Sequence, residues 1–145
     1  MPTLEPESVV YNKLNANWNI GFMEKPTLVI REDASTLKYD VGTEGIILIY
    51  TELGGIRKTM TAIWHHKDEI ATVIVDVRTL RAHDHLFMLT MEATRILETD
   101  ATNVSPWHLC SILTVQQRYN NMFNFWQGQM RVELARYGVP TALTR

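Results

Sequence analysis

The sequence predicts an α+β domain: a mainly antiparallel sheet with one main amphipathic helix packed on a face and a short N-terminal helix. Three observations predict it. Residues 82–98 place Leu86, Leu89, Thr90, Ala93, Ile96 and Leu97 at offsets of three and four, which makes one apolar stripe of helical period. On either side, residues 69–79 and 125–136 alternate apolar and polar with the period of two that marks a strand. The 145 residues hold no fixed repeat, low-complexity tract or linker, so a single domain, residues 1–145, accommodates the chain. An order of helix, strands, helix, strands favours a two-layer packing of helix on sheet.

Residues 5–18 carry Val9, Val10, Leu14 and Trp18 near i, i+4, i+8 spacing, which suits a short amphipathic helix. Pro26 precedes the β-rich run Thr27-Leu28-Val29-Ile30-Arg31, where proline is tolerated at the start of a strand. Residues 32–42 are polar and read as loop. The run from Gly45 to Thr51 is apolar at consecutive positions, as in a strand buried on both faces. Gly54-Gly55 is a turn dipeptide, because glycine reaches positive φ without a Cβ penalty, and it predicts a hairpin onto residues 57–64. In residues 69–79, Ala71, Val73, Val75 and Val77 line one face while Thr72, Asp76 and Arg78 mark the other.

Asp84 near the start of the central helix and Arg95 near its end match the helix dipole. Residues 99–106 read as loop closed by Pro106, and residues 108–119 as a strand. Residues 125–136 set Trp126, Met130, Val132 and Leu134 against Gln127, Gln129, Arg131 and Glu133 on the opposite face. The last two strands are expected to pair as a long antiparallel hairpin across Asn120-Asn121. The helical crossover leaves room for one parallel neighbour pair. Residues 140–145 are expected to be mobile in the free subunit.

A composition of 46% hydrophobic and 21% charged residues excludes general disorder and fibrous repeats. Folding at this size buries roughly 68–70% of the unfolded surface, so neither disulfides nor a structural metal is required. Fourteen basic against sixteen acidic side chains give a net charge of −2, which offers no global attraction to nucleic acid or to an anionic membrane. Glu5 and Glu7 stand where a secretory signal needs positive charge, and the apolar run at residues 45–50 falls far short of the ~20 residues that span a bilayer. Synthesis inside the cell is expected. The one cysteine, Cys110, lies in an apolar run and reads as a core thiol.

His65-His66 and His83-Asp84-His85 are clusters of ligand-type side chains, but their spacing seldom aims adjacent residues at one ion, and turn or cap histidines account for them. Asp76 and Glu133 are the candidates for acid–base work, and pairing with Arg78 and Arg131 explains them equally well. The sequence carries no GxSxG, Walker-type loop or GxGxxG. It therefore assigns no catalytic residue, metal or cofactor, and no enzyme class. Tyr119, Phe123, Phe125 and Trp126 cluster with Arg118 and Arg131, a mixture that suits either base stacking or sheet core plus an oligomer contact.

The segment Thr72-Val73-Ile74-Val75-Asp76-Val77-Arg78-Thr79, with Arg81 and the helix that follows, resembles the central strand–helix unit of tail-completion proteins, the tail-terminator-like neck proteins of long-tailed phages and archaeal viruses. The order continues with a β-rich stretch ending Gln117-Arg118-Tyr119, an aromatic turn with Phe125-Trp126, and the strand Met130-Arg131-Val132-Glu133-Leu134, so the resemblance spans residues 45–137. It implies a noncatalytic virion protein, made in the host cytoplasm, that closes a ring of copies of itself, commonly a hexamer, at the head-proximal end of the tail tube. Its partners would be the tail tube protein, a neck or head–tail connector protein, and DNA passing through the lumen without sequence-specific contact. On this reading Gly54, Gly55, Arg57, Lys58, Tyr119, Phe123 and Phe125 sit at projecting hairpin ends that meet neighbours, and Arg57, Lys58 and Arg118 face the lumen. The alternative is a small α+β domain that binds nucleic acid or protein through its aromatic hairpin.

Overall fold

The computed structural model describes residues 5–21, 23–30, 44–60, 66–98, 108–122 and 124–140; residues 52–60, 66–69, 108–110, 114–116 and 136–140 are described by backbone alone. In chain order the elements are α1 (Pro6–Asn17), β1 (Thr27–Ile30), β2 (Ile46–Met60), β3 (His66–Thr79), α2 (His83–Glu98), β4 (His108–Asn120) and β5 (Phe125–Pro140). The strands form one sheet in the order β1-β2-β3-β5-β4. Every neighbour pair is antiparallel except β1 with β2, which run parallel. The fold is the predicted α+β class, and the parallel pair lies at the β1 edge rather than beside the α2 crossover.

Local chemistry explains the helices. Pro6 occupies the first turn of α1, where its missing N–H costs nothing, and Val9, Val10 and Leu14 are buried. The α2 stripe is buried at Leu86, Leu89, Ala93, Ile96 and Leu97, and burying each large aliphatic contributes roughly 1.5–3 kcal/mol. Both helices cover one sheet face, built from Ile47, Ile49, Ala71, Val73, Val75, Val77, Met130, Val132 and Leu134. The Thr51 hydroxyl donates to Glu7 and joins α1 to β2.

Two glycines set the distance between the layers. A Cβ at Gly128 of β5 would stand 3.1 Å from Gln117 Cγ and 3.6 Å from Leu86 Cδ1, so its absence lets α2 settle onto the hairpin. Gly45, with φ +86°, enters β2 in a conformation that L side chains avoid, and a Cβ there would lie 3.0 Å from both the Arg78 carbonyl oxygen and Leu89 Cδ1.

Two expectations are corrected. Gly54-Gly55 does not turn a hairpin: β2 runs on to Met60, and residues 52–55 form an irregularity between Thr51, opposite Val73, and Ile56, opposite Ala71. Glycine here serves a bulge, the other use of its conformational freedom. Pro140 is the last residue of β5, opposite His66, and so belongs to the sheet. The predicted loops at residues 32–42 and 99–106 lie outside the described residues, as does the Cys110 side chain.

Candidate functional site

The second sheet face, away from the helices, carries the residues on which a functional reading turns. The register sets Leu48 beside Asp76 and Gln129, and Ile46 beside Arg78 and Gln127. Asp76 and Arg78 are both buried, at 1% and 2% exposure. Their ion pair closes at 3.0 Å between Arg78 Nη2 and Asp76 Oδ2. Gln127 Nε2 donates to both Asp76 oxygens at 3.2 and 3.1 Å, and Gln129 Nε2 donates to Oδ2 at 3.4 Å. The Phe125 ring lies under the Arg78 guanidinium, 4.9 Å from its carbon to the ring centroid. Asp76 is thus held in a fixed, charge-compensated network, which suits a rigid subunit better than proton transfer.

At the other acidic candidate, Glu133 accepts a hydrogen bond from Ser111 across the β4–β5 ladder at 3.2 Å, on the exposed part of the same face. The two carboxylates therefore do not share a site.

At the hairpin tip Asn121, Met122 and Asn124 are turn residues, so the reversal does not rest on Asn120-Asn121 alone, and the Asn124 N–H donates to the Asn120 carbonyl at 2.8 Å. The Asn120 side chain accepts from Met122 N–H at 3.0 Å, and Asn124 adopts φ 57°, which asparagine tolerates. Behind the tip, Tyr119 and His83 meet Trp126 edge to face, at centroid distances of 5.2 and 5.4 Å. Tyr119 is exposed, but Phe125 is buried at 5% exposure, which corrects the expectation of an exposed aromatic there. Period two already puts Phe125 on the Gln127 face, beneath Arg78. Phe123 lies outside the described residues. Gly54, Gly55, Arg57 and Lys58 lie on the β2 backbone, and Arg118 is an exposed residue of β4.

The helix α2 holds two further buried ionisable groups, His85 and Glu92. His85 faces inward, with Nδ1 2.5 Å from the Thr79 hydroxyl; burial pushes its pKa down, Arg81 adds to that, and Glu24 partly offsets it. Glu92 is buried beneath a forked contact from Arg95, at 2.8 and 2.7 Å, and accepts the Asn19 N–H at 2.9 Å. The Arg95 hydrogen bonds hold its carboxyl below the usual range. His83 and His85 thus serve a ring contact and a core contact, and among the described residues no three His, Cys, Asp or Glu side chains group as metal ligands.

The described residues expose Phe87, Met88 and Met91 on the outer side of α2, and Leu113 on β4 at 61% exposure. Phe87, Thr90, Met91, Thr94 and Gln117 line a groove of about 480 Å³ on the β4 side of α2. No described helix is long and apolar enough to cross a membrane.

No family model and no curated protein matches the sequence. Among solved structures, the chain is similar to a chain of the virion of a native gene transfer agent (GTA) particle, with a TM-score of 0.60 and 11% identity over 92% of this chain and 94% of that one. At this identity the likeness is one of fold.

Proposed function

We propose that this chain is a noncatalytic virion structural subunit that forms a ring, most simply a hexamer, at the head-proximal end of a tail tube. There it completes the tail and meets a neck or head–tail connector protein. The observation that carries the proposal is the fold likeness to a gene transfer agent virion chain, which runs almost the full length of both chains. The whole architecture is shared, not one motif of it.

The ionisable groups support the same reading, because the best candidates for chemistry are spent on packing. Asp76 is bound by Arg78, Glu92 by Arg95, and His85 by Thr79. On this reading Gly54, Gly55, Arg57, Lys58, Tyr119 and Phe123 belong to the surfaces that meet other copies or the tube protein. Arg57, Lys58 and Arg118 face a lumen that passes DNA without reading its sequence.

Sedimentation velocity of the full chain, alone and mixed with purified tail tubes, tests the proposal. Ring-sized particles, or a cap at one tube end in electron micrographs, are expected. A strict monomer that binds single-stranded nucleic acid with a steep salt dependence would replace this reading with that of a binding domain using its aromatic hairpin.

A further inference from the structure

The sheet has two outer strands, β1 and β4, on opposite sides, and among the described residues neither outer edge is paired. An open edge is a template for pairing, and a closed ring is one of the few arrangements that leaves none. We infer that β1 of one copy pairs with β4 of the next, head to tail, so that the sheet continues around the ring; the inference rests on the ring reading above.

Strand direction favours this junction. β1 runs with β2, β2 opposes β3, β3 opposes β5, and β5 opposes β4, so β4 and β1 point in opposite directions. Copies related by a ring rotation with strands along the axis therefore join as an antiparallel pair, the commoner and slightly more stable kind.

Length and register fit as well. Irregularities between Leu109 and Ser111 and between Val115 and Gln117 divide β4 into shorter stretches, of which residues 111–115 are the longest. Such bulges blunt an edge against open-ended pairing and restrict a partner to a short strand. β1 is four residues long. Antiparallel pairing of Thr27 with Val115 puts Val29 opposite Leu113 and Ile30 opposite Ile112. The faces agree: Val29 and Leu113 lie on the Asp76 face, through Leu48 and Arg131, while Ile30 and Ile112 lie on the helix face, through Ile49 and Val132. The exposed Leu113 would be covered by Val29, and the exposed Ile30 by Ile112.

The helix layer repeats in the same sense. α1 lies against β1 and β2, and α2 against β3, β5 and β4, with α1 on one flank of α2. The groove beside Phe87, Met91 and Gln117 is the opposite flank, where α1 of the next copy would arrive.

The four paired residues of β1 are roughly 14 Å long, and a helix on a sheet is about 20 Å deep, so the junction covers on the order of 280 Å² per partner. A standard stable pair needs roughly 800 Å² per partner. The contact is too small to hold two copies alone and gains from closure into a ring, which separates it from a two-fold dimer.

The test is cysteine pairing in the full chain, in a Cys110→Ala background that removes the one native thiol. Val29→Cys with Leu113→Cys is expected to give, on oxidation, a ladder of covalent multimers that ends at the ring. Either cysteine alone should give none. Leu113→Lys, at an exposed position, should leave thermal unfolding unchanged and weaken self-association at least tenfold. A ring that forms with no ladder and ignores Leu113→Lys overturns the strand junction and leaves the ring reading standing. Cross-linking by Leu113→Cys alone shows a symmetric β4 contact and also overturns it. A chain that stays monomeric at all concentrations and on tail tubes removes the ring reading, and the junction with it.

Discussion

Replacing Glu92 by glutamine tests how the chain leaving α1 is tied to α2. Glu92 is 4% exposed and holds two partners, the Asn19 N–H and the Arg95 fork. Glutamine keeps an oxygen for Asn19 and loses the charge. A hydrogen bond to a charged group contributes about 1.5–3 kcal/mol, but half-exposed Arg95 is screened by solvent like a surface pair, so the expected loss at pH 7 is about 1–2 kcal/mol. For a chain of this size that lowers Tm by about 3–6 °C. Arg95 holds the Glu92 carboxyl below its ordinary value, with burial opposing and the Asn19 N–H assisting. A pKa depressed on folding stabilises the protein above the ordinary carboxylate range and is lost as pH falls through the folded value. The gap between wild type and Glu92→Gln should therefore close in acid, once wild-type Glu92 is itself neutral. Urea unfolding at pH 7 and at stepwise lower pH measures both. A variant within about 0.3 kcal/mol of wild type at pH 7, or a gap that acid leaves unchanged, refutes the reasoning.

Three further perturbations probe the same architecture. Arg78→Met leaves the buried Asp76 with neutral amide donors and should cost about 3–5 kcal/mol in urea unfolding; a loss under about 1 kcal/mol would mean that the carboxylate reaches water. Gly45→Ala combines positive-φ strain with contacts of 3.0 Å, and calorimetry should show a loss of about 2–4 kcal/mol. His85 has a pKa lowered from 6.5, chiefly by burial, so its contribution is present above that pH and is lost as pH falls through the folded value. His85→Gln should thus show a shallower loss of stability below pH 6.5 than wild type, and an equally steep loss would place the acid response elsewhere.

Much of the fold was legible because its signals are strictly local. The α2 stripe and the alternation of β5 each report one face against one layer, and both stand where the periodicity puts them. What escaped depends on partners distant in sequence. Nothing near Gly54-Gly55 reveals that β3 continues opposite residues 56–60, so a bulge looks like a turn. The insertion of β5 between β3 and β4 is likewise a choice among pairings that each strand alone leaves open. Asp76 and Arg78 mark a polar face by their spacing, but only the register that brings Gln127 and Gln129 alongside shows that they are compensated and buried. Two charges inside a β-branched run, with two glutamines at matching spacing in another strand, were the available signal. Glu92 escaped for a related reason: it faces the chain leaving α1, and helical period does not identify that neighbour.

The small size of the inferred β1–β4 junction bears on how such a subunit would be used. An open chain of n copies has n − 1 junctions and a ring has n, and the closing junction forms without a further loss of translational freedom, which for a free association costs an estimated 4–15 kcal/mol. Closure therefore stabilises a ring whose single contacts are too weak to persist. A subunit built this way stays dissociated while dilute and assembles where copies are gathered, as on the end of a tube that holds several of them side by side. The buried pair Asp76–Arg78 and the pair of buried Glu92 with half-exposed Arg95 suit that use, because they fix the strands and helices before any neighbour arrives and little conformational entropy is left to lose on contact. If Arg78→Met loosens the sheet without unfolding it, assembly on tubes should weaken more than tenfold while β1 and β4 remain unaltered in sequence; assembly at the wild-type level by a loosened subunit would show that rigidity is not what makes a small junction sufficient.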